Sequence, residues 1–331
     1  MSLSEIHNLT RSVLIREGAS PEHADSVADC VRNAERDGAS SHGMYRVPGY
    51  IRSLRSGKVR GDADPSLTRV NDTVMRCEGD RSFVSLVHRR YLEQVIQVAR
   101  QHGVCIFAAR RIAHWAALWP ETEAIADAGL VAFACTSYLP TVAPHGTRHA
   151  FFGTNPVSFA WPRPLRPPLV FDMATSSSSL GDLSLKARMG EEVPEGTGLD
   201  GEGKVSKDPS EILKGCLLPF GGYKGSHLAM AVELLAGPLI GETTSYETAR
   251  EDNQDGGPPL GGELIVAMSL DIISGSKESA EAAERFLKHL EEMESFGMPG
   301  QRRHQRRLDL GKRKIDAVTM AEIEKLLESS K

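Results

Sequence analysis

The chain has 331 residues, of which 40% are apolar and 25% charged, and a formal net charge of -5. That length holds two or three packed modules with a sizeable core. The composition is that of a globular protein, and the acidic balance argues against nucleic-acid binding, which requires a basic face.

The first patterned segment is helical. Ser20 can cap, Pro21 suits the first helical position, and Ala24, Val27, Ala28, Val31 and Ala34 follow at helical spacing until Gly38. A small-residue loop, Ser40–Gly43, leads into a second helical stretch, Tyr45–Leu54. Arg69–Cys77 alternates like a single strand, and Val84–His102 reads as a long helix stopped by Gly103. Val104–Ala109 and Leu130–Thr136 are apolar runs expected as buried strands, with a short helix at Glu121–Ala128 between them.

From Ser137 to Asp182 the chain is rich in Pro, Gly and Ser, a composition that often carries a site on a rigid scaffold. Gly190–Pro209 is irregular, and Asp208-Pro209 with Glu211 reads as a helix start. Gly225–Gly241 is apolar nearly all round and is expected as a buried helix. A loop over Thr243–Gly262 precedes a strand at Glu263–Leu270, a charged surface helix at Lys277–Glu294 and a last helix at Asp316–Ser329, with Thr319 as a candidate cap.

Cys30, Cys77, Cys105, Cys135 and Cys216 lie far apart and form no CxxC pair, so reduced thiols in a cytosolic protein are expected. No signal-peptide core and no bilayer-length apolar run is present.

Three motifs are decoys. Gly196–Gly201 has GxGxxG spacing, but neither a strand before it nor a helix after it is expected, so no helix N-terminus would meet a pyrophosphate. The overlapping Gly198–Lys204 imitates a phosphate loop, but Val205 stands where a magnesium-binding hydroxyl should be. His145 and His149 are four apart, but Pro144 and Gly146 break the helix a zinc site would need, and no metal is expected.

Other residues can carry chemistry. In Ser41-His42-Gly43 with Arg46, His42 could donate a proton and Arg46 could hold a carboxylate with paired hydrogen bonds. By composition alone a capping or core histidine is the simpler reading. The basic run Gln301–Arg307 is either a solvated face or a site for phosphate groups, which match Arg geometry.

Together SHGMYR (41–46), AHWAALWPE (113–121), APHGTRHAFFGTNP (143–156), LVFDMATSSSSLGD (169–182) and LLPFGGYKGS (217–226) resemble the type-2 malate/L-lactate dehydrogenase family of NAD(P)-dependent oxidoreductases. The resemblance spans most of the chain and is densest between residues 112 and 241. It implies an α/β, non-Rossmann fold with a mostly antiparallel sheet wrapped by helices. It also implies a helical substrate-binding domain from residues 1–110 with 285–331, an NADP-binding and dimerisation region over 111–284, and a cytoplasmic homodimer that binds neither nucleic acid nor membrane.

The resemblance assigns roles by position. His42 becomes the acid and Arg46 the carboxylate anchor, with His114 and Thr154 bordering the substrate. Asn155, Asp172, Met173, Ala174, Thr175, Tyr223, Lys224, Gly300, Gln301 and Arg302 fall in the cofactor segments. Many hydroxyacid members have Gly-Lys where this chain has Gly181-Asp182. An acidic residue there resembles the Δ1-piperideine-2-carboxylate/Δ1-pyrroline-2-carboxylate reductases, because a carboxylate stabilises a cationic iminium nitrogen. Asp182 is then the second catalytic candidate, against a plain helix-capping role. Those reductases carry His-Gly-Asp where this chain has Leu180-Gly181-Asp182.

The expected activity is NADPH-dependent reduction of cyclic imino acids to L-pipecolate or L-proline, with NADH possible. The alternatives are a 2-hydroxyacid dehydrogenase acting on malate, lactate or ureidoglycolate, and a non-catalytic NADP(H)-binding protein.

Overall fold

The apolar runs of the sequence meet in one seven-stranded sheet. The structure, a computed structural model, describes residues 1–276 and 278–329. Helix α1 (Leu3–Arg16) starts at a Ser2/Glu5 capping box. Helix α2 (Pro21–Asp37) starts where Ser20 accepts the His23 N–H, and ends at Gly38 in the left-handed conformation with φ 78°. Two single-turn helices, Ser40–His42 and Met44–Arg46, lead into α3 (Val47–Arg55). The Ser40–Gly43 loop is thus more regular than expected, and the following helix starts later, with Pro48 in its first turn.

Strands β1 (Ser66–Arg69) and β2 (Val74–Glu78) replace the single strand expected at Arg69–Cys77. Asn71 causes the break, because its Oδ1 accepts the N–H groups of Thr73 and Val74, each at 2.9 Å, and turns the chain back. Helix α4 (Val84–His102), strand β3 (Val104–Ala113), helix α5 (Trp119–Asp127) and strands β4 (Val131–Thr136), β5 (Val157–Trp161) and β6 (Leu169–Met173) follow. Then come α6 (Leu180–Met189), the short strands β7 (Gly198–Leu199), β8 (Val205–Ser206) and β9 (Cys216–Leu217), and between the last two the one-turn α7 (Pro209–Ile212). The GxGxxG segment lies in β7 and the turn after it, with no helix following.

Helix α8 (Tyr223–Ala236) precedes α9 (Ser245–Glu251), strand β10 (Leu260–Met268), α10 (Leu270–Ser274), α11 (Glu278–Glu291), α12 (Gln301–Arg307) and α13 (Ala317–Glu328). Lys277, the first residue of the expected surface helix, lies outside the described residues. The expected Thr243–Gly262 loop contains α9, started by a Thr244/Glu247 capping box. The cap of α13 is Asp316, which accepts the N–H of Thr319, and Thr319 itself is buried.

The sheet order is β1-β2-β3-β10-β4-β5-β6. Only the β2/β3 pair is parallel among these neighbours. Side-chain alternation divides the strands between two layers. Phe107, Ala109, Ala134, Ile265 and Ala267 pack with Val95, Ala99 and Ile125 of α4 and α5. Ala108, Cys135 and Leu264 pack with Val232 and Ala236 of α8 on the other face. A third cluster joins Ile6, Leu14, Val27 and Ile51 of α1–α3 to Ile323 of α13.

Helix α8 departs from its expected burial. Leu228, Met230 and Leu234 are 41%, 48% and 57% exposed, so only one stripe of this apolar helix meets the sheet. Among the described residues no helix is long and apolar enough to cross a membrane.

Candidate active site

The cavity of about 790 Å³ lies where the turns after α2 face the start of α6. Two glycines let these segments close together. A Cβ at Gly43 would stand 2.0 Å from Glu35 Oε1, and the same Glu35 oxygen accepts the Met44 N–H at 2.8 Å. A Cβ at Gly181 would lie 3.0 Å from both Arg46 Nη2 and Ser41 Cβ. Opposite, Ser179 caps α6 by accepting the Asp182 N–H at 3.0 Å. Asp182 therefore sits in the first turn, where the helix end favours negative charge, and it lines the cavity with His42 and Arg46.

Arg46 is buried, and among the described residues its guanidinium has no hydrogen-bond or ion-pair partner, with Nε left unsatisfied. It lies 4.5 Å from the Trp115 ring centroid and 5.4 Å from that of Tyr45. Burial pushes the guanidinium below its ordinary value, partly offset by the nearby Tyr138, Tyr45 and Tyr50 and, least, by Asp182, and arginine still keeps its charge. A buried cation without a partner is costly, and a ligand carboxylate would remove that cost.

His42 is a different kind of group. Burial, then the charges of Arg46 and His114, push its pKa down to about 3, so it is a neutral imidazole at neutral pH. Ser41 Oγ is 3.2 Å from His42 Nδ1, and the ring stands edge-on to Trp119 at 6.2 Å. It can make hydrogen bonds but does not hold a spare proton in the free protein.

Behind His114, expected at the substrate border, lie three residues that the sequence did not single out, Glu263, His88 and Glu121. His114, at the end of β3, lines the cavity, and its Nε2 is 3.3 Å from Glu263 Oε1. Glu263 Oε2 is 2.6 Å from His88 Nε2, and His88 Nδ1 is 3.8 Å from Glu121 Oε2. Burial would push Glu263 up, but His88 and His114 outweigh it and hold the carboxyl well below the usual range. Burial and the negative charge of Glu263 push Glu121 well above its usual range. The available signal was a single carboxylate at the head of an apolar strand, ELIVAMSL (263–270).

Helix α12 forms another wall. Arg302, Arg303 and Arg306 line the cavity, and Arg303 lies 5.0 Å over the Trp119 ring with its Nε buried and unpartnered. Arg307 anchors the helix by pairing with Asp37 and Glu123, each at 2.6 Å. Burial would raise the Asp37 carboxyl, but Arg307 and Arg36 hold it below its ordinary value. The basic run is thus half anchor and half cavity wall.

The other candidate residues divide. Thr154, Asp172, Met173 and Ala174 line the cavity. Asp172 also caps α5, its Oδ2 accepting the N–H groups of Leu118 at 2.7 Å and Trp119 at 3.1 Å. Asn155 lies behind the wall, fully buried, donating to Ala229 O and Glu233 Oε1. Thr175 is also buried, its hydroxyl bonded to Thr154 O. Tyr223 and Lys224 start α8 and are exposed; the turn before them bonds to Thr175 and Ser177 but does not line the cavity. Gly300, left-handed with φ 85°, caps α12, and Gln301 opens that helix outside the cavity lining.

Comparison with known proteins gives a consistent result. A sequence model of the family described as Malate/L-lactate dehydrogenase matches residues 1–324. The chain is 40% identical over 310 residues to a Δ1-pyrroline-2-carboxylate reductase of Ancylobacter novellus, covering 93% of this chain and 91% of that one. It is 41% identical over 309 residues to a Δ1-pyrroline-2-carboxylate/Δ1-piperideine-2-carboxylate reductase of Pseudomonas aeruginosa, covering 93% and 92%. The fold superposes on the crystal structure of Δ1-piperideine-2-carboxylate reductase from Pseudomonas syringae with a TM-score of 0.91 at 37% identity, covering 99% and 98% of the two chains. It also superposes on sulfolactate dehydrogenase from Methanocaldococcus jannaschii with a TM-score of 0.88 at 25% identity, covering 99% and 96%.

Proposed function

This chain belongs to the malate/L-lactate dehydrogenase family and is an oxidoreductase, and from that premise we propose that it reduces cyclic imino acids, Δ1-piperideine-2-carboxylate and Δ1-pyrroline-2-carboxylate, to L-pipecolate and L-proline. One observation carries this reading: Arg46, buried with its Nε unsatisfied, lines the same cavity as Asp182. A cyclic imino acid in its iminium form has a carboxylate next to a cationic nitrogen. Arg46 and Asp182 offer the complementary pair, anion holder beside cation holder. A 2-oxoacid would instead present its carbonyl oxygen, where negative charge develops, to a carboxylate.

The residues present fit a nicotinamide dinucleotide. Arg302, Arg303 and Arg306 offer cations for phosphate groups, and the small residues Ala174 and Ser176 to Ser179 allow close approach. A reduced nicotinamide supplies, when bound, the hydride that the C=N carbon takes up. Arg46 orients the substrate by its carboxylate, Asp182 stabilises the cationic nitrogen, and neutral His42 hydrogen-bonds in the pocket. The three arginines support NADPH over NADH.

Residues 1–110 with 285–331 form the substrate-binding unit in this reading, supported by the core that joins α1–α3 to α13. Residues 111–284 form the cofactor and dimerisation region, supported by the exposed apolar stripe Leu228, Met230 and Leu234 on α8. Light scattering on the purified protein tests the dimer.

The function is tested by following oxidation of NADPH, and then NADH, with Δ1-piperideine-2-carboxylate beside oxaloacetate and pyruvate. Rapid oxidation with the imine is the expected result. Turnover of the 2-oxoacids alone would return the protein to the hydroxyacid branch. Cofactor binding without any turnover would make it a binding protein.

A further inference from the structure

We infer that Glu263, held in place by His88, is a positioning residue that orients His114 in the cavity and lets it release and regain a proton without leaving a buried charge unpaired. This rests on the reductase reading of the same cavity.

The sheet determines where Glu263 points. It has the same parity along β10 as Ile265 and Ala267, so its side chain enters the α4/α5 layer, where His88 and Glu121 lie. A register shift between Gly261 and Glu263 opens the strand there, and Thr136 Oγ1 pins the bulge by donating to Gly262 O at 2.8 Å. The carboxylate is 0% exposed, so its charge must be matched inside the protein.

Two rings match it, one on each oxygen. The 2.6 Å contact to His88 is short and charge-assisted; the 3.3 Å contact to His114 is looser. Glu263 engages His114 through Nε2 and leaves Nδ1 as the ring nitrogen for a ligand. The other titratable groups around the carboxylate are Glu121 from α5, Cys135 from β4 and Asp172 from β6, with His42 and Arg46 across the cavity.

The proton balance follows. Reduction of one C=N bond consumes a hydride and a proton. The proton leaves His114 for the nitrogen of the bound neutral imine, its N–H bond breaking as the iminium N–H bond forms; hydride then goes to the C=N carbon and solvent later returns the proton to His114. Once His114 has given up its proton, Glu263 still has the 2.6 Å contact to His88 as its partner. Without His88, releasing that proton would strand a buried carboxylate.

The test compares Glu263→Gln and His88→Gln with the unaltered enzyme, using rate–pH profiles with Δ1-piperideine-2-carboxylate, cofactor binding by tryptophan quenching, and nitrogen NMR of the histidines. Glu263→Gln is expected to lower kcat roughly tenfold to a hundredfold, as loss of a supporting partner does, with cofactor binding unchanged. Its alkaline limb should move down by about one pH unit, because the proton is held less tightly. His88→Gln should move that limb up by about one unit, because Glu263 then leans on His114 alone. NMR of the unaltered protein should show His114 protonated at Nε2 when neutral. Profiles that stay put or shift the same way in both variants would overturn the proposal. So would a His114 ring bare at Nε2, or a stoichiometric metal whose removal abolishes activity. Should Glu263→Gln not fold, His88→Gln and the NMR result still decide. An unaltered enzyme that turns over only 2-oxoacids would sink the substrate assignment and leave the NMR test standing.

Discussion

Arg46 and Arg307 are both arginines beside the same cavity, in opposite electrostatic situations. Arg307 meets two carboxylates, Asp37 and Glu123, and ties α12 to α2 and α5. Arg46 is more deeply buried, faces the Trp115 and Tyr45 rings, and among the described residues has no carboxylate in ion-pair reach. A saturated buried charge marks a joint in the fold. An unsaturated one marks a place that a ligand completes, because the protein bears the desolvation cost until the ligand arrives.

The sharpest break of that comparison is Arg46→Ala. It should lower kcat/KM for the imine by roughly a thousandfold, the scale of losing a buried carboxylate anchor, while thermal stability holds or rises. A melting temperature that drops several degrees instead would make Arg46 a joint as well. Arg307→Met should do the reverse, costing about 2–3 kcal/mol of stability after allowance for partial exposure, read by urea unfolding. Activity measured well below the unfolding transition should change less than stability predicts only if α12 keeps its place without the anchor.

A smaller effect is expected from Asp182→Asn, about tenfold to a hundredfold on imine turnover, with pyruvate turnover unchanged or raised. Equal loss on both substrates would reduce Asp182 to a helix-end residue.

The smallest concerns pH. His23 is buried on α2, its Nε2 accepting the Phe83 N–H at 3.0 Å, and burial lowers its pKa from 6.5 to about 4. The unfolded chain therefore binds this proton more readily than the folded one between those values, and stability falls as pH drops through that window. At pH 5 the loss from this group is about 2 kcal/mol. His42, also lowered, acts in the same direction. His23→Gln should flatten the unfolding profile between pH 7 and pH 5. An unchanged slope would place the acid sensitivity elsewhere.

How much was legible in the sequence depended on the range of the interaction. Ser20 with Gly38 and the stop at Gly103 bounded α2 and α4 as expected, because caps are local chemistry. The convergence of His42, Arg46, His114, Asp172 and Asp182 on one cavity agrees with motifs met as separate segments. The Glu263 network was not legible, since it needs the parity of β10, a bulge, and α4 beside α5. The hairpin at Asn71 was hidden because alternation continues through the turn residues. The exposure of α8 was also hidden, for an all-apolar helix looks the same whether covered by its own sheet or left for a second surface.

The meeting of the two chain ends in one core has a consequence for synthesis. Arg16 Nη2 donates to Leu327 O at 2.5 Å across a separation of 311 residues, and the terminal amine of Met1 donates to Arg313 O at 2.7 Å. On the ribosome, α1–α3 must wait for α13 before their apolar cluster closes, a contact of the slowest, most non-local kind. The segment that carries His42 and Arg46 leads into α3 of that cluster, so the order of the site depends on a helix made long after it.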